Sequence, residues 1–266
     1  MASDQSQAHL TQLLAQIEQY FLRERALFGE TLIIEQPSTQ KDQPMPHKQA
    51  PAVDEPLLFD LPETVGQSVP QEAWSRAETL DDLNAQICTC VKCPLGYTRT
   101  KFVFGVGNPK ATLMLIGEAP GVDEDAQGEP FVGRAGQLLN KILEAINFRR
   151  EEVYICNILK CRPPNNRTPQ PEEVEQCIPY LKKQIELIKP RVILCLGLVA
   201  AENLLQTRES LSRLRGKVLS FQGIPVMITY HPAALLRNPH WKRPAWEDVQ
   251  AVRKLHDELG GKKLDH

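Results

Sequence analysis

No stretch of this 266-residue chain approaches the ~18 uninterrupted apolar residues of a membrane-crossing helix, so no such span is expected. The opening Met-Ala-Ser-Asp-Gln-Ser-Gln lacks a basic segment followed by an apolar run, so it does not read as a secretory leader. There is no internal repeat, which argues against a solenoid. A hydrophobic content of 42% is ordinary, so the composition is not that of a disordered chain. Without a leader the seven cysteines are expected in a reducing cytoplasm, where metal binding is favoured over disulfides. The length suffices for one large core or two modest domains.

The net charge of −2 conceals an asymmetry. Residues 1–86 carry 5 Lys+Arg against 14 Asp+Glu, whereas residues 87–266 carry 26 against 19. The larger part is therefore basic, as suits a protein that meets phosphate backbones, although such a charge also serves plain solubility.

Texture divides the chain into three. Residues 1–35 hold an amphipathic helix, with Leu10, Leu13, Leu14, Ile17, Phe21 and Leu27 at helical spacing, more a docking element than a catalytic one. Residues 36–80 form a flexible linker, whose 36–72 stretch carries seven prolines among polar residues and cannot bury a core. Pro56-Leu-Leu-Phe59 is an apolar island within it, and residues 1–60 could dock a protein partner, although chance also produces such islands.

Residues 81–266 read as the folded domain. Ala111–Ile116, Val153–Ile158, Arg191–Leu196 and Pro225–Tyr230 are short apolar runs of strand character. Helical faces lie between them: Leu138, Leu139, Ile142, Leu143 and Ile146 in 137–147, then Val174, Cys177, Ile178, Leu181, Ile185 and Ile188 behind Pro171-Glu-Glu. Apolar strands alternating with helices predict a three-layer α/β/α fold around a central four-stranded parallel sheet. Ligands of such sheets bind at the carboxyl edge of the strands, and unusual residues collect there.

Cys90 and Cys93 form C-x2-C; after 67 residues Cys161 and Cys177 form C-x15-C. A C-x2-C turn can aim two thiolates at one centre, so the four would hold zinc or an iron–sulfur cluster if the fold brings them together. Cys88 adds a C-x-C-x2-C array and remains an alternative to Cys90, while Cys156 and Cys195 read as buried small hydrophobes.

Four strand-end segments carry candidate chemistry. Gly117-Glu118-Ala119-Pro120-Gly121, followed by Asp123, Glu124 and Asp125, is either a capped turn or a ligand loop whose carboxylates hold a water. Phe131, in a glycine-rich loop, either plugs the core or stacks on a base. Asn157 either closes its strand or reads the N3–H/O4 edge of uracil with one amide. In His231-Pro-Ala-Ala-Leu235-Leu236-Arg237 the imidazole can bond a developing anion, the leucines can wedge into a base stack and the arginine can reach phosphate; ordinary core roles are the alternative.

Together these segments resemble the type 4, iron–sulfur branch of the uracil-DNA glycosylase superfamily. The resemblance rests on Cys-Val-Lys-Cys-Pro-Leu, Gly-Glu-Ala-Pro-Gly, Pro-Phe-Val-Gly-Arg-Ala-Gly-Gln-Leu-Leu, Asn-Ile-Leu-Lys-Cys-Arg-Pro-Pro-Asn-Asn-Arg, Cys177 and His-Pro-Ala-Ala-Leu-Leu-Arg, in order over about two-thirds of the chain. It implies a 4Fe–4S cluster held by Cys90, Cys93, Cys161 and Cys177, structural rather than redox-active at the bond broken. It also implies a uracil pocket of Glu118, Ala119, Pro120, Phe131, Asn157 and His231. DNA contacts would come from Leu235, Leu236 and Arg237.

The expected activity is monofunctional release of uracil from DNA by a cytoplasmic, monomeric base-excision enzyme. His231 would stabilise the departing anion, and Glu118 or Glu124 would orient water. Other branches carry Asp where this chain has Ala119, so either carboxylate could serve. The histidine insert of a covalent uracil-DNA-binding branch is missing, since Cys161-Arg-Pro-Pro-Asn-Asn-Arg-Thr-Pro runs straight through, which implies turnover. The competing expectation is a DNA-binding module with a structural metal centre and no turnover.

Overall fold

The computed structural model describes residues 72–260; the amphipathic segment, most of the proline-rich stretch and the Pro56–Phe59 island lie outside them. A 3-10 turn, Ala73–Arg76, places Trp74 edge-on to Tyr180 at 4.9 Å, and Ala77 is buried.

Helix α1 (Leu80–Ile87) starts on Thr79, whose side chain accepts the Asp82 N–H. After α2 (Leu95–Thr98) come a two-residue strand β1 (Val106–Gly107), β2 (Leu113–Gly117), α3 (Val122–Gln127) and α4 (Arg134–Ala145). Then follow β3 (Tyr154–Asn157), α5 (Pro171–Ile188), β4 (Val192–Leu196), α6 (Leu198–Leu205) and α7 (Leu211–Leu214). The last described elements are β5 (Leu219–Phe221), β6 (Ile224–Thr229), α8 (Pro232–Arg237) and α9 (Lys242–Glu258).

Among the described residues the sheet has six strands, in the order β1-β3-β2-β4-β6-β5. The four expected strands are its parallel centre, with Gly117 opposite Asn157 and Leu196 opposite Thr229. Two short antiparallel edges, β1 on β3 and β5 on β6, extend it beyond four. Apolar alternation along the central strands feeds two cores. Met114 and Ile116 face one core with Leu181 and Ile185 of α5 and Ala200 and Leu204 of α6. Leu113 and Leu115 face the other with Leu139 and Leu143 of α4 and Val249 and Val252 of α9. Helices therefore cover both faces, and the carboxyl ends of β3, β2, β4 and β6 stand side by side.

Candidate active site

Those four ends carry Asn157, Gly117-Glu118, Gly197 and, two residues past β6, His231, in spatial order. Glycine is required at Gly117 by closeness: a Cβ there would lie 2.4 Å from Asn157 Oδ1 and 2.6 Å from Phe131 Cζ. Gly197 has φ +95° and leaves only 3.1 Å between its own missing Cβ and that of His231.

Phe131 arrives from the loop before α4 with φ +54°, a left-handed conformation uncommon outside glycine. Several contacts hold it there. Its carbonyl lies over Gly136, where a Cβ would meet it at 1.8 Å, and Arg150 Nη2 donates to Pro130 O at 2.5 Å. Glu124 accepts the N–H groups of Val132 and Gly133 at 2.9 and 3.1 Å. Strain so over-determined is a mark of function. The ring ends 5.5 Å from the His231 imidazole at a 32° tilt.

Asn157 is 2% exposed, and its Oδ1 is buried with no hydrogen-bond partner. Such an orphan costs about 1–3 kcal/mol unless something fills it. It shares the neighbourhood of Gly117 with the Phe131 ring.

His231 caps α8: its Nδ1 accepts the Ala233 N–H at 3.2 Å. Burial, with Arg237 adding to it, pulls the imidazole down to about 4, so the ring is neutral at ordinary pH. With Nδ1 accepting, the one proton sits on Nε2, which becomes a fixed donor.

The two glutamates expected to share one task divide. Glu118 follows β2 half-buried, and burial raises its pKa. Glu124 accepts three backbone N–H groups, those of Gly121, Val132 and Gly133, and so ties the 117–121 loop to the Phe131 loop. Its oxygens are occupied, which makes it a brace. Asp125, 5% exposed, similarly accepts the Thr100 N–H and holds the cysteine-bearing segment to α3. Ala119 is half-buried and Pro120 buried beside Glu118.

The leucine pair divides as well. Leu235 is 2% exposed in the core under α8, whereas Leu236 is 40% exposed and Arg237 is exposed beside it. One helix cannot turn two adjacent side chains the same way, so only Leu236 is free to wedge.

The cysteines converge from three segments. Cys90 and Cys93 are half-buried, Cys161 and Cys177 buried, and all are free thiols. Burial raises Cys161, Arg99 opposes this, and Cys93 and Cys90 act on it as neighbours. Burial pushes Cys177 up to about 12, with the Lys160 N–H opposing and Cys161 and Cys93 close by. Tyr180 hydroxyl donates to Cys90 Sγ at 3.3 Å, and Arg99 Nη1 donates to Cys161 Sγ at 3.4 Å and to Cys90 O at 2.5 Å. Cys88 turns away, its thiol donating to Ala85 O at 3.7 Å. No three described Cys, His, Asp or Glu side chains close on a single metal ion. The donor set nonetheless suits an anionic centre, since three of the four sulfurs receive an N–H or O–H.

Glu124 as a brace and the left-handed backbone of Phe131 were not foreseen. Only Glu124 had a sequence signal, its place three residues after Gly121 at a helix start.

The carboxyl ends of the parallel centre of a mixed α/β sheet thus bring Glu118, Phe131, Asn157 and His231 into one region. The sequence profile of the uracil DNA glycosylase superfamily matches residues 104–252. A type-4 uracil-DNA glycosylase of Archaeoglobus fulgidus is 48% identical over 194 residues, 70% of this chain and 96% of that protein. One of Pyrobaculum aerophilum is 48% identical over 170 residues, 60% of this chain and 86% of that protein. One of Thermotoga maritima is 42% identical over 191 residues, 70% of this chain and all of that protein. The chain belongs to the uracil DNA glycosylase superfamily.

Proposed function

We propose that this chain is a monofunctional type-4 uracil-DNA glycosylase, which hydrolyses the N-glycosidic bond of deoxyuridine in DNA and leaves an abasic site. The observation that carries the reading is the buried, unpartnered Oδ1 of Asn157 beside the Phe131 ring. That oxygen accepts uracil N3–H, and the same amide donates to O4; cytosine offers the opposite polarity at both places.

A base in a duplex is unreachable, so the nucleotide flips out, with Leu236 filling the gap and Arg237 on phosphate. Residues 210–246 hold six Lys+Arg and no Asp or Glu. Because β5 runs antiparallel to β6, the segment leading into Leu219 lies at the same sheet edge as His231. Arg213, Lys217 and Arg237 are exposed there and would track the DNA backbone.

Phe131 stacks on the uracil. As the bond to C1′ lengthens, positive charge grows on the sugar and negative charge on uracil O2. Neutral His231 donates through Nε2 to O2, a bond that strengthens toward the transition state. Glu118 orients a water whose oxygen joins C1′ and whose surplus proton passes to solvent, while uracil leaves with the bonding pair and takes a proton from solvent.

Cys90, Cys93, Cys161 and Cys177 would hold a 4Fe–4S cluster. When bound, it would tie the 88–94 loop, the segment after β3 and α5 into one unit. Iron analysis of protein prepared without oxygen tests this; zinc without iron would replace the cluster and leave the base chemistry in place.

The activity test is alkali cleavage of a uracil-containing oligonucleotide after incubation with the protein. Cleavage at the uracil is expected; none above a uracil-free control would leave the binding-module reading.

A further inference from the structure

The carboxyl end of β6 is held by a buried ion pair that the base chemistry does not use. Asp248, on α9, is 4% exposed. Arg215, just after α7, reaches it with two bonds: Nε donates to Oδ2 at 2.7 Å and Nη2 to Oδ1 at 3.0 Å. The Thr229 hydroxyl donates to the same Oδ2 at 2.7 Å. Arg215 Nη2 also donates to Pro244 O at 2.7 Å, and Nη1 to the Tyr230 hydroxyl at 3.2 Å. The guanidinium lies over the Tyr230 ring, 4.4 Å from its centroid. The Trp241 indole stacks on the same ring at 5.0 Å and 15°.

A buried ion pair adds little stability over packed apolar groups of the same volume, because desolvating both charges offsets their attraction. What this pair adds is direction, since a planar guanidinium fixes the line of every bond it donates. Those bonds converge on Thr229 and Tyr230, the two residues that lead into His231. The sheet itself orders the chain only as far as Thr229, which lies opposite Leu196 in the last register pair of β4 and β6. Tyr230 stands beyond that pair. Its hydroxyl and ring face, both engaged by Arg215, carry the order onward to the imidazole.

We propose that Arg215 is a positioning residue for base release: anchored on Asp248, it fixes Tyr230 and, through it, the ring of His231. This rests on the glycosylase reading for the role of His231 in the reaction; the placement of the ring does not depend on it.

Two variants test the link. Tyr230→Phe deletes one hydroxyl and keeps the ring beneath Arg215 and Trp241. Arg215→Lys keeps a cation for Asp248 and loses the fork. Single-turnover uracil release at saturating DNA is measured for each in the wild-type and His231→Ala chains. Each is expected to slow release by about tenfold in the wild-type background, less than the roughly 100-fold of a full 1 Å displacement. In His231→Ala the same changes are expected to cost less than about twofold, because the residue they act through is gone. Affinity for an oligonucleotide with 2′-fluoro-deoxyuridine, which resists hydrolysis, is expected to stay unchanged. A merely structural role would cost the same factor in both backgrounds; that result, or full rate in both variants, would overturn the proposal. If Arg215→Lys fails to fold, Tyr230→Phe decides alone.

Nitrogen-15 spectra of the imidazoles read the same placement without turnover. The His231 resonances, assigned by their loss in His231→Ala, are expected to shift or broaden in both variants. Those of His256, toward the other end of α9, are expected to stay in place. Unmoved His231 resonances would refute the link. A wild-type chain that never releases uracil would defeat the functional reading while leaving the spectral comparison intact.

Discussion

Gly117→Ala places a methyl group where Asn157 and Phe131 meet. Its carbon would stand 2.4 Å from Asn157 Oδ1 and 2.6 Å from Phe131 Cζ. Ordinary contact begins near ~3.5 Å, so each neighbour must retreat by about 1 Å. Neither is a free side-chain end: Asn157 is buried at a strand terminus, and the Phe131 backbone is pinned through Gly136 and Glu124. Displacing a recognition group by about 1 Å costs on the order of 100-fold in rate. Overpacking adds about 1–3 kcal/mol of instability, which is a Tm loss of roughly 2–10 °C at this size. Steady-state uracil release and a thermal melt measure both. Gly216→Ala is the control, with φ +71° but nothing within 4 Å of its Cβ: a small Tm loss and unchanged kinetics are expected. Gly117→Ala with wild-type kcat/KM would refute the placement of the pocket.

Other expectations follow from the same geometry. His231→Ala removes a fixed donor to the departing anion and is expected to slow single-turnover release by about 10²–10³-fold with little loss of DNA binding. Because the folded imidazole sits at about 4 while the unfolded ring titrates near 6.5, the unfolded chain binds more protons between those values. Stability therefore falls as pH drops from about 6.5 toward 4, and His231→Ala flattens that part of a Tm–pH profile. Glu118 is raised by burial, so activity is lost as pH falls through its raised pKa, and Glu118→Gln is expected to lower activity while raising Tm. Glu124→Gln does the opposite to Tm, losing about 1–3 kcal/mol because it leaves a bracing N–H unmatched; equal melts for the two variants would erase the division between them. Lys217→Ser and Arg213→Ser are each expected to reduce the salt slope of duplex binding by about 0.9 with kcat at saturation unchanged; unchanged slopes would move the DNA to another edge.

The central strands were legible because a strand covered on both faces is apolar at every position, as in Val-Ile-Leu-Cys-Leu of 192–196. The edges were not, since Val106-Gly107 is only two residues long and Leu219–Phe221 is half-exposed. Helix α9 was hidden by polarity on its buried face. Asp248 sits there to receive Arg215 and Thr229, and His256 pairs with Thr112 at 2.7 Å, so the apolar period is broken by residues that are nonetheless inside. Within the site, residue types at strand ends pointed to Asn157, His231 and Phe131. Their distinguishing properties were three-dimensional: an orphaned oxygen, a tautomer set by Ala233, and a left-handed backbone. Leu235 and Leu236 looked equivalent until α8 turned one inward. Lys160 gave no sign, because the partners that hold its buried side chain are the Asn157 carbonyl and Gln184, the latter 24 residues away on α5.

The most direct measurement is single-turnover base release from duplexes carrying uracil or cytosine opposite guanine, by wild type and by Asn157→Asp. The wild-type chain should release uracil and leave cytosine untouched, and the variant should lose roughly 10-fold or more on uracil because its acid cannot donate to O4 while ionised. Uracil release by Asn157→Asp at the wild-type rate would contradict the claim that the amide at the end of β3 reads the base.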